Sequence, residues 1–199
     1  MHARQQAIRI ALLAAAAFIF PIGCEAEGLG KDKNLETQST AYDLQASSEG
    51  IGADQQEAVS KAASLVQSEQ YAEAEKVLDG VLAHFSELMR DGSHQYVTFR
   101  SDDDYRQFMT ASRAGPGGKA KSKITRVHDS FAQALQLKAY IASSLQKWDE
   151  ATEYLDRKIS YAPYEAQPHL EKGYVLNAQG KPGAGLESYK KAYELAVAH

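Results

Sequence analysis

The side chains able to do chemistry are few and far apart in this sequence. His84, His94, His128, His169 and His199 are scattered, and no two stand at the i, i+4 spacing that lets one helix offer two imidazoles to zinc. The single cysteine, Cys24, adds no second thiolate. Asp102, Asp103 and Asp104 crowd three carboxylates together, but the spaced ligands and central glycine of a calcium loop are missing. Three acids in a row fit the first turn of a helix, where they face its positive end. The run Ala114-Gly115-Pro116-Gly117-Gly118-Lys119 invites comparison with a phosphate-binding loop. That loop needs glycine, four residues, then Gly-Lys-Ser/Thr; here Arg113 and Ala120 occupy the outer positions and no strand leads in. No Gly-x-Ser-x-Gly elbow is present. Glu150 and Glu153 belong on exposed helix faces, beside basic neighbours. The sequence therefore predicts no catalytic residue, no metal site and no cofactor. What remains is binding, and one thiol whose position gives it a different use.

The elements that carry these residues are helical. Of 199 residues, 44% are hydrophobic and 24% charged, enough to bury a core. Good helix formers abound, and only Tyr96-Val97-Thr98-Phe99 reads briefly as a strand, which predicts an all-α protein. The net charge is −4; the first 23 residues hold Arg4 and Arg9 and no acid, so without them it is −6. Such an acidic balance lacks the footprint of nucleic-acid binding.

The N-terminus reads as an address. Met1 to Arg9 is basic, and Ile10 to Ile22 is an uncharged apolar run of about 13 residues, against the about 20 that span a bilayer. A basic start and a short apolar run make a secretory signal. Gly23-Cys24 follows at once, and this resembles the bacterial lipoprotein signal, although Pro21 stands where that family prefers leucine. The resemblance implies cleavage before Cys24 and its acylation; two or more acyl chains give stable anchoring where one does not. The alternative is an ordinary secreted protein, cut near Cys24-Glu25-Ala26. Glu25 in place of aspartate leans toward the periplasmic face of the outer membrane. Residues 1–23 are thus read as signal, and 24–53, polar and without periodicity, as a flexible tether.

From about residue 54 an internal repeat emerges. Trp148-Asp149-Glu150-Ala151, Leu155 and Pro163 place an aromatic, a small residue and a helix-ending proline at set intervals. This resembles the second half of a tetratricopeptide repeat, and advancing by that family's period of about 34 residues maps Ala151 onto Gly185, Leu155 onto Tyr189, and Ala139 onto Gly173. Tyr71-Ala72-Glu73-Ala74, with Leu78, Val81 and Phe85, is a further copy upstream, and Ala62 and Leu65 precede it. This pattern resembles the tetratricopeptide repeat over about 54–88 and 132–199. The resemblance implies antiparallel helix pairs stacked as a short right-handed superhelix. The residues agree independently of the family. Ala74, Val77, Leu78, Val81, Leu82, Phe85 and Leu88 share one helical face. Ile124, Val127, Phe131, Ala134, Leu135, Ile141 and Leu145 broadly do the same. Asp54 with Glu57 reads as a capping pair. Small residues at Ala74, Ala151, Gly173 and Gly185 permit close helix crossings.

The sequence departs from the family at Lys138, where a large apolar residue is preferred, at Lys158, where a small one is, and at Ser86, which replaces a proline. Pro182 stands at a first-turn position that tolerates it. An insertion at about 89–131 separates the first copy from the second. Within it, Ser101 caps a short helix to Ala111 with Tyr105, Phe108 and Met109 on its apolar side, so the insertion reads as a degenerate helix pair. Its glycine loop is flanked by Arg113, Lys119, Lys121, Lys123 and Arg126, suited to anionic headgroups or an acidic partner, or simply solvated.

In the family the first helix of each repeat lines a concave groove. Carried over, the partner-binding residues are Gln136, Tyr140, Ser143 and Ser144, then Leu170, Tyr174 and Asn177, with Gln167 and Ala178 beside them and Gln56, Val59, Ala63 and Gln67 in the first copy. Tyr140 and Tyr174 hold equivalent places; each is either a groove anchor or a packing residue between helices. The reading that follows is a membrane-tethered adaptor or assembly factor of the bacterial envelope, binding another protein or peptide and catalysing nothing. The alternatives are an inhibitor or immunity-type lipoprotein neutralising one target, and an enzyme with a site in the insertion.

Overall fold

The computed structural model of the chain describes residues 50–99, 101–114 and 123–197. The signal segment, Cys24, the tether to residue 49 and the loop residues 115–122 lie outside the described residues. Helices dominate: α1 Gln56–Gln67, α2 Tyr71–Leu88, α3 Asp102–Ala114, α4 Ser130–Ser144, α5 Trp148–Tyr161, α6 Ala166–Ala178 and α7 Pro182–Val197. Two strands, β1 His94–Thr98 and β2 Lys123–Val127, flank α3.

Three antiparallel pairs, α1–α2, α4–α5 and α6–α7, are each joined by the same turn. Glu69, Gln146 and Gly180 adopt left-handed backbones at φ 57°, 60° and 75°. After each, a backbone N–H reaches back to close the helix: Gln70 to Leu65 O at 2.9 Å, Lys147 to Ala142 O at 2.8 Å and Lys181 to Leu176 O at 2.9 Å. The left-handed residues themselves donate to Val66, Ser143 and Asn177, each at 3.0 Å. This double closure satisfies the orphan carbonyls of a helix end. The next helix then opens with Ala74, Ala151 and Gly185 donating to Gln70, Lys147 and Lys181, again each at 3.0 Å. The sequence period is thus repeated bond by bond in the backbone.

Helix α4 is the hub. It packs on α1, α2 and α5, and its buried residues run from Ser130 to Ser143 around the whole circumference. A helix covered on every side has no need of a polar face. The main core joins Val59, Leu78, Val81, Phe85, Phe131, Leu135 and Ile141, with Phe85 and Phe131 at 5.0 Å between centroids. Leu88, expected on that face, is exposed. Gly52 stands at φ 84°, and a Cβ there would strike the Phe85 ring. Only glycine fits such a position.

Three expectations are corrected. The insertion is not a degenerate helix pair but a strand–helix–strand unit. β1 and β2 pair in parallel, with His94 opposite Lys123 and Thr98 opposite Val127, so the protein is mostly helical with a small sheet. Ile124 and Val127 accordingly belong to β2, not to the face of α4. The i, i+3 spacing of Ile124 and Val127 mimics a helix, and the strand finds its partner only across α3. Asp54 does not cap α1; it lies in a 3₁₀ turn, Ala53–Gln55, and α1 opens without a side-chain cap. The cap at Ser101 is present, its Oγ accepting from Asp104 N at 3.1 Å. A second small core of Val97, Phe99, Phe108, Met109 and Ile124 packs on Tyr105 and Tyr164. Thr98 donates to Tyr161 O at 3.2 Å, tying the unit to α5. On the other edge Ile51 bridges to Val127.

Candidate partner-binding surface

The first helices of the three pairs are α1, α4 and α6. Polar side chains stitch them in order: Gln56 donates to Gln133 Oε1 at 3.4 Å between α1 and α4, and Gln136 donates to Glu171 between α4 and α6. The second contact belongs to a buried network. Lys158 donates to Gln136 Oε1 at 3.1 Å and pairs with Glu165 at 2.9 Å. Gln167 donates to the other oxygen of Glu171 at 3.0 Å. Burial pushes the Glu171 carboxyl upward, opposed by the Lys158 ammonium and the two glutamine amides, and the net shift is up. A carboxylate removed from water favours its neutral form.

Against this frame the expected groove residues separate. Gln136 and Ser143 are buried, and Gln136 is committed to Lys158 and Glu171. Tyr140 is half-buried against the main core. Burial first, then the neighbouring Tyr71, raise its phenol pKa. Tyr174 packs beside Ala139, Ala142 and Leu155, and burial raises its phenol too. Both tyrosines therefore pack between helices while keeping part of their surface in solvent. Asn177 is exposed and donates to Tyr189 OH at 3.2 Å, linking α6 to α7. Leu170 is 54% exposed. Leu170, Tyr174 and Asn177 follow one another at i, i+4 and i+7 and form one face of α6. That face, with Ser144 and the edge of Tyr140, is the accessible part of the expected set. Of the first-copy positions, Val59 and Ala63 are buried and Gln67 is exposed; Ala178, in the third copy, is exposed too.

The buried charges were not singled out as site residues. Lys138 lies between α2 and α5, at 2.8 Å from Asp79 and 3.8 Å from Glu75, with its ammonium 5.4 Å from the Tyr154 ring centroid. Burial lowers its pKa, but the hydrogen bond it donates to Asp79 and the nearby Tyr154, Asp79 and Glu75 more than offset this, and the net shift is up. Lys138 and Lys158 were legible only as departures from apolar or small repeat positions; each has recruited acids from a neighbouring element. Cys24 lies outside the described residues, as do Lys119 and Lys121.

The insertion carries two further features. His94 Nδ1 stands 2.6 Å from Thr125 Oγ1 across the strand pair, and Nε2 lies 3.5 Å from Asp91. A cleft of about 340 Å³ opens beside Phe99, Asp104, Tyr164, Glu165 and Leu195. Among the described residues no group of three or more His, Cys, Asp or Glu is placed to hold a metal, and no helix is long and apolar enough to cross a membrane. Comparison with family models, with curated proteins and with solved structures yields no match for this chain.

Proposed function

We propose that this chain is a membrane-tethered protein-interaction module of the bacterial envelope, an adaptor or assembly factor. In this reading its helix pairs stack as a short right-handed superhelix of the tetratricopeptide kind. The observation that carries the reading is the threefold recurrence of one helix–turn–helix unit, with left-handed Glu69, Gln146 and Gly180 at the same place in each. Repeated pairs build an extended surface in which each unit contacts its neighbours. The face of α6 bearing Leu170, Tyr174 and Asn177 offers an apolar anchor, an aromatic edge and an amide, a combination suited to a peptide or a helix of another protein. Lipidation of Cys24 would confine that surface near the membrane and raise its effective concentration there.

Two experiments test this reading. Labelling cells with an alkyne-bearing fatty acid should mark the wild type and not Cys24→Ala; an unlabelled wild type removes the anchor. Co-purification from envelope extracts should recover one dominant protein, lost on Leu170→Asp/Tyr174→Ala while the helical spectrum is retained. Equal recovery with both chains would move the binding surface elsewhere. An enzymatic reading is favoured only by the Asp91, His94 and Thr125 row of the insertion. A hydrolytic or transferase activity abolished by Thr125→Val would establish it.

A further inference from the structure

Helix α5 receives α6 along a defined row. Asp149 accepts from Gln179 at 3.0 Å, Thr152 accepts from the same amide at 3.4 Å, and Asp156 pairs with Lys172. One repeat on, α7 presents Gly183, Leu186 and Lys190 at these places, and Tyr193 and Val197 continue the row. Leu186 is 53% exposed, Tyr193 70% and Val197 62%. By the repeat this is the stacking face of a helix pair, and it is exposed among the described residues. Stacked repeats ordinarily close such a face with polar residues. Here three large apolar side chains occupy it.

We infer that this row of α7 docks against the same row of a second copy of the chain, antiparallel, about a two-fold axis. The spacing Leu186, Lys190, Tyr193, Val197 reads identically in both directions, four, three and four residues apart. When two such helices meet antiparallel, each Leu186 faces Val197 of the second copy and each Lys190 faces Tyr193 of the second copy. Apolar contacts then close both ends, and at the centre each ammonium lies over a phenol ring. Glu194 of the second copy stands one position further along, within reach of the same ammonium. Within one helix Lys190 pairs with Glu187 at 2.8 Å and Lys191 with Glu194 at 3.2 Å. These are exposed pairs that exchange partners at little expense. Self-complementarity of one patch is what a two-fold interface requires.

A single helix face buries less than a standard interface, so the affinity belongs in the micromolar range. Sedimentation and native mass spectrometry of the full chain, held in non-ionic detergent at about 1 to 100 µM, measure it directly. The wild type should pass from monomer to dimer over that range. Tyr193→Glu, at a position exposed enough to leave the fold intact by circular dichroism, should weaken dimerisation by about tenfold or more. Lys190→Glu should weaken it likewise, and Lys190→Glu/Glu194→Lys should restore it. A chain that stays monomeric throughout, including one whose face is covered by another protein or by lipid, overturns the inference. So does a dimer indifferent to Tyr193→Glu.

Discussion

Gly173 and Gly185 meet where α6 crosses α7. A Cβ on Gly173 would stand 3.0 Å from Gly185 O, and a Cβ on Gly185 would stand 2.9 Å from Gly173 O. The equivalent positions in the earlier pairs are alanines, Ala62 with Ala74 and Ala139 with Ala151, all fully or almost fully buried. Each pair of helices therefore crosses at a small residue from each partner, and in the α6–α7 pair both are glycines, with the Tyr189 ring and the Asn177 amide packed against them.

That contact predicts an asymmetric response to alanine. In an open helix Gly→Ala stabilises by about 0.5 to 1 kcal/mol. At Gly173 the added methyl would lie 2.6 Å from the Tyr189 ring as well as against backbone, so Gly173→Ala should destabilise by about 1 to 3 kcal/mol, as overpacking does. Gly183, with nothing within 4 Å of its Cβ position, should gain from the same change. Urea unfolding of the two variants separates the cases. Stabilisation by Gly173→Ala would mean the helices do not cross as described.

The three turns make a second test. A left-handed backbone costs a non-glycine residue about 1 to 2 kcal/mol, and two of the three turns bear that strain at Glu69 and Gln146. Gln146→Gly should stabilise by a few tenths to about 1 kcal/mol, because glycine relieves the strain but loses more entropy on folding. Gly180→Gln should destabilise by about 1 kcal/mol. Thermal or denaturant midpoints of this pair of variants should move in opposite directions. Movement in the same direction would contradict equivalent turns.

Glu171 supplies a prediction in pH. Its carboxyl is raised in the folded chain, chiefly by burial, so the native state holds the proton more tightly than the unfolded chain. Stability from this group is therefore fully present below the unfolded pKa, near 4.3. It is lost as pH rises through the higher folded value. Glu171→Gln mimics the protonated form, and Gln167 can turn its amide to accept from the new donor. The variant should melt above the wild type at pH 7 to 8, with the difference closing toward pH 4. A variant less stable at neutral pH would show that the Lys158 attraction outweighs burial.

Much of the helical architecture was legible because its cause is local. The apolar stripe of Leu78, Val81 and Phe85, the small residues at Ala74 and Ala151, and Gly180-Lys181-Pro182 at a turn all act within a few residues of themselves. The strand–helix–strand unit was hidden because parallel pairing joins His94 to Lys123 across an intervening helix, and no local period records that. Which of the expected binding residues would be exposed was legible only in part. Repeat positions say which residues face the same way, but Gln136 was drawn inward by Lys158 and Glu171, charges that the repeat pattern marks only as exceptions. The spacing alone does not separate an anchor from a packing role for Tyr140; its partial burial against the main core comes from helices distant in sequence.

The central claim, that the exposed face of α6 meets a partner, is tested most directly by placing a photo-crosslinking amino acid at Leu170 in cells and, as a control, at Leu88, which is also exposed but lies on α2. The account predicts one dominant crosslinked protein from position 170 and none of it from position 88. No adduct at 170, or the same adducts from both positions, would contradict it.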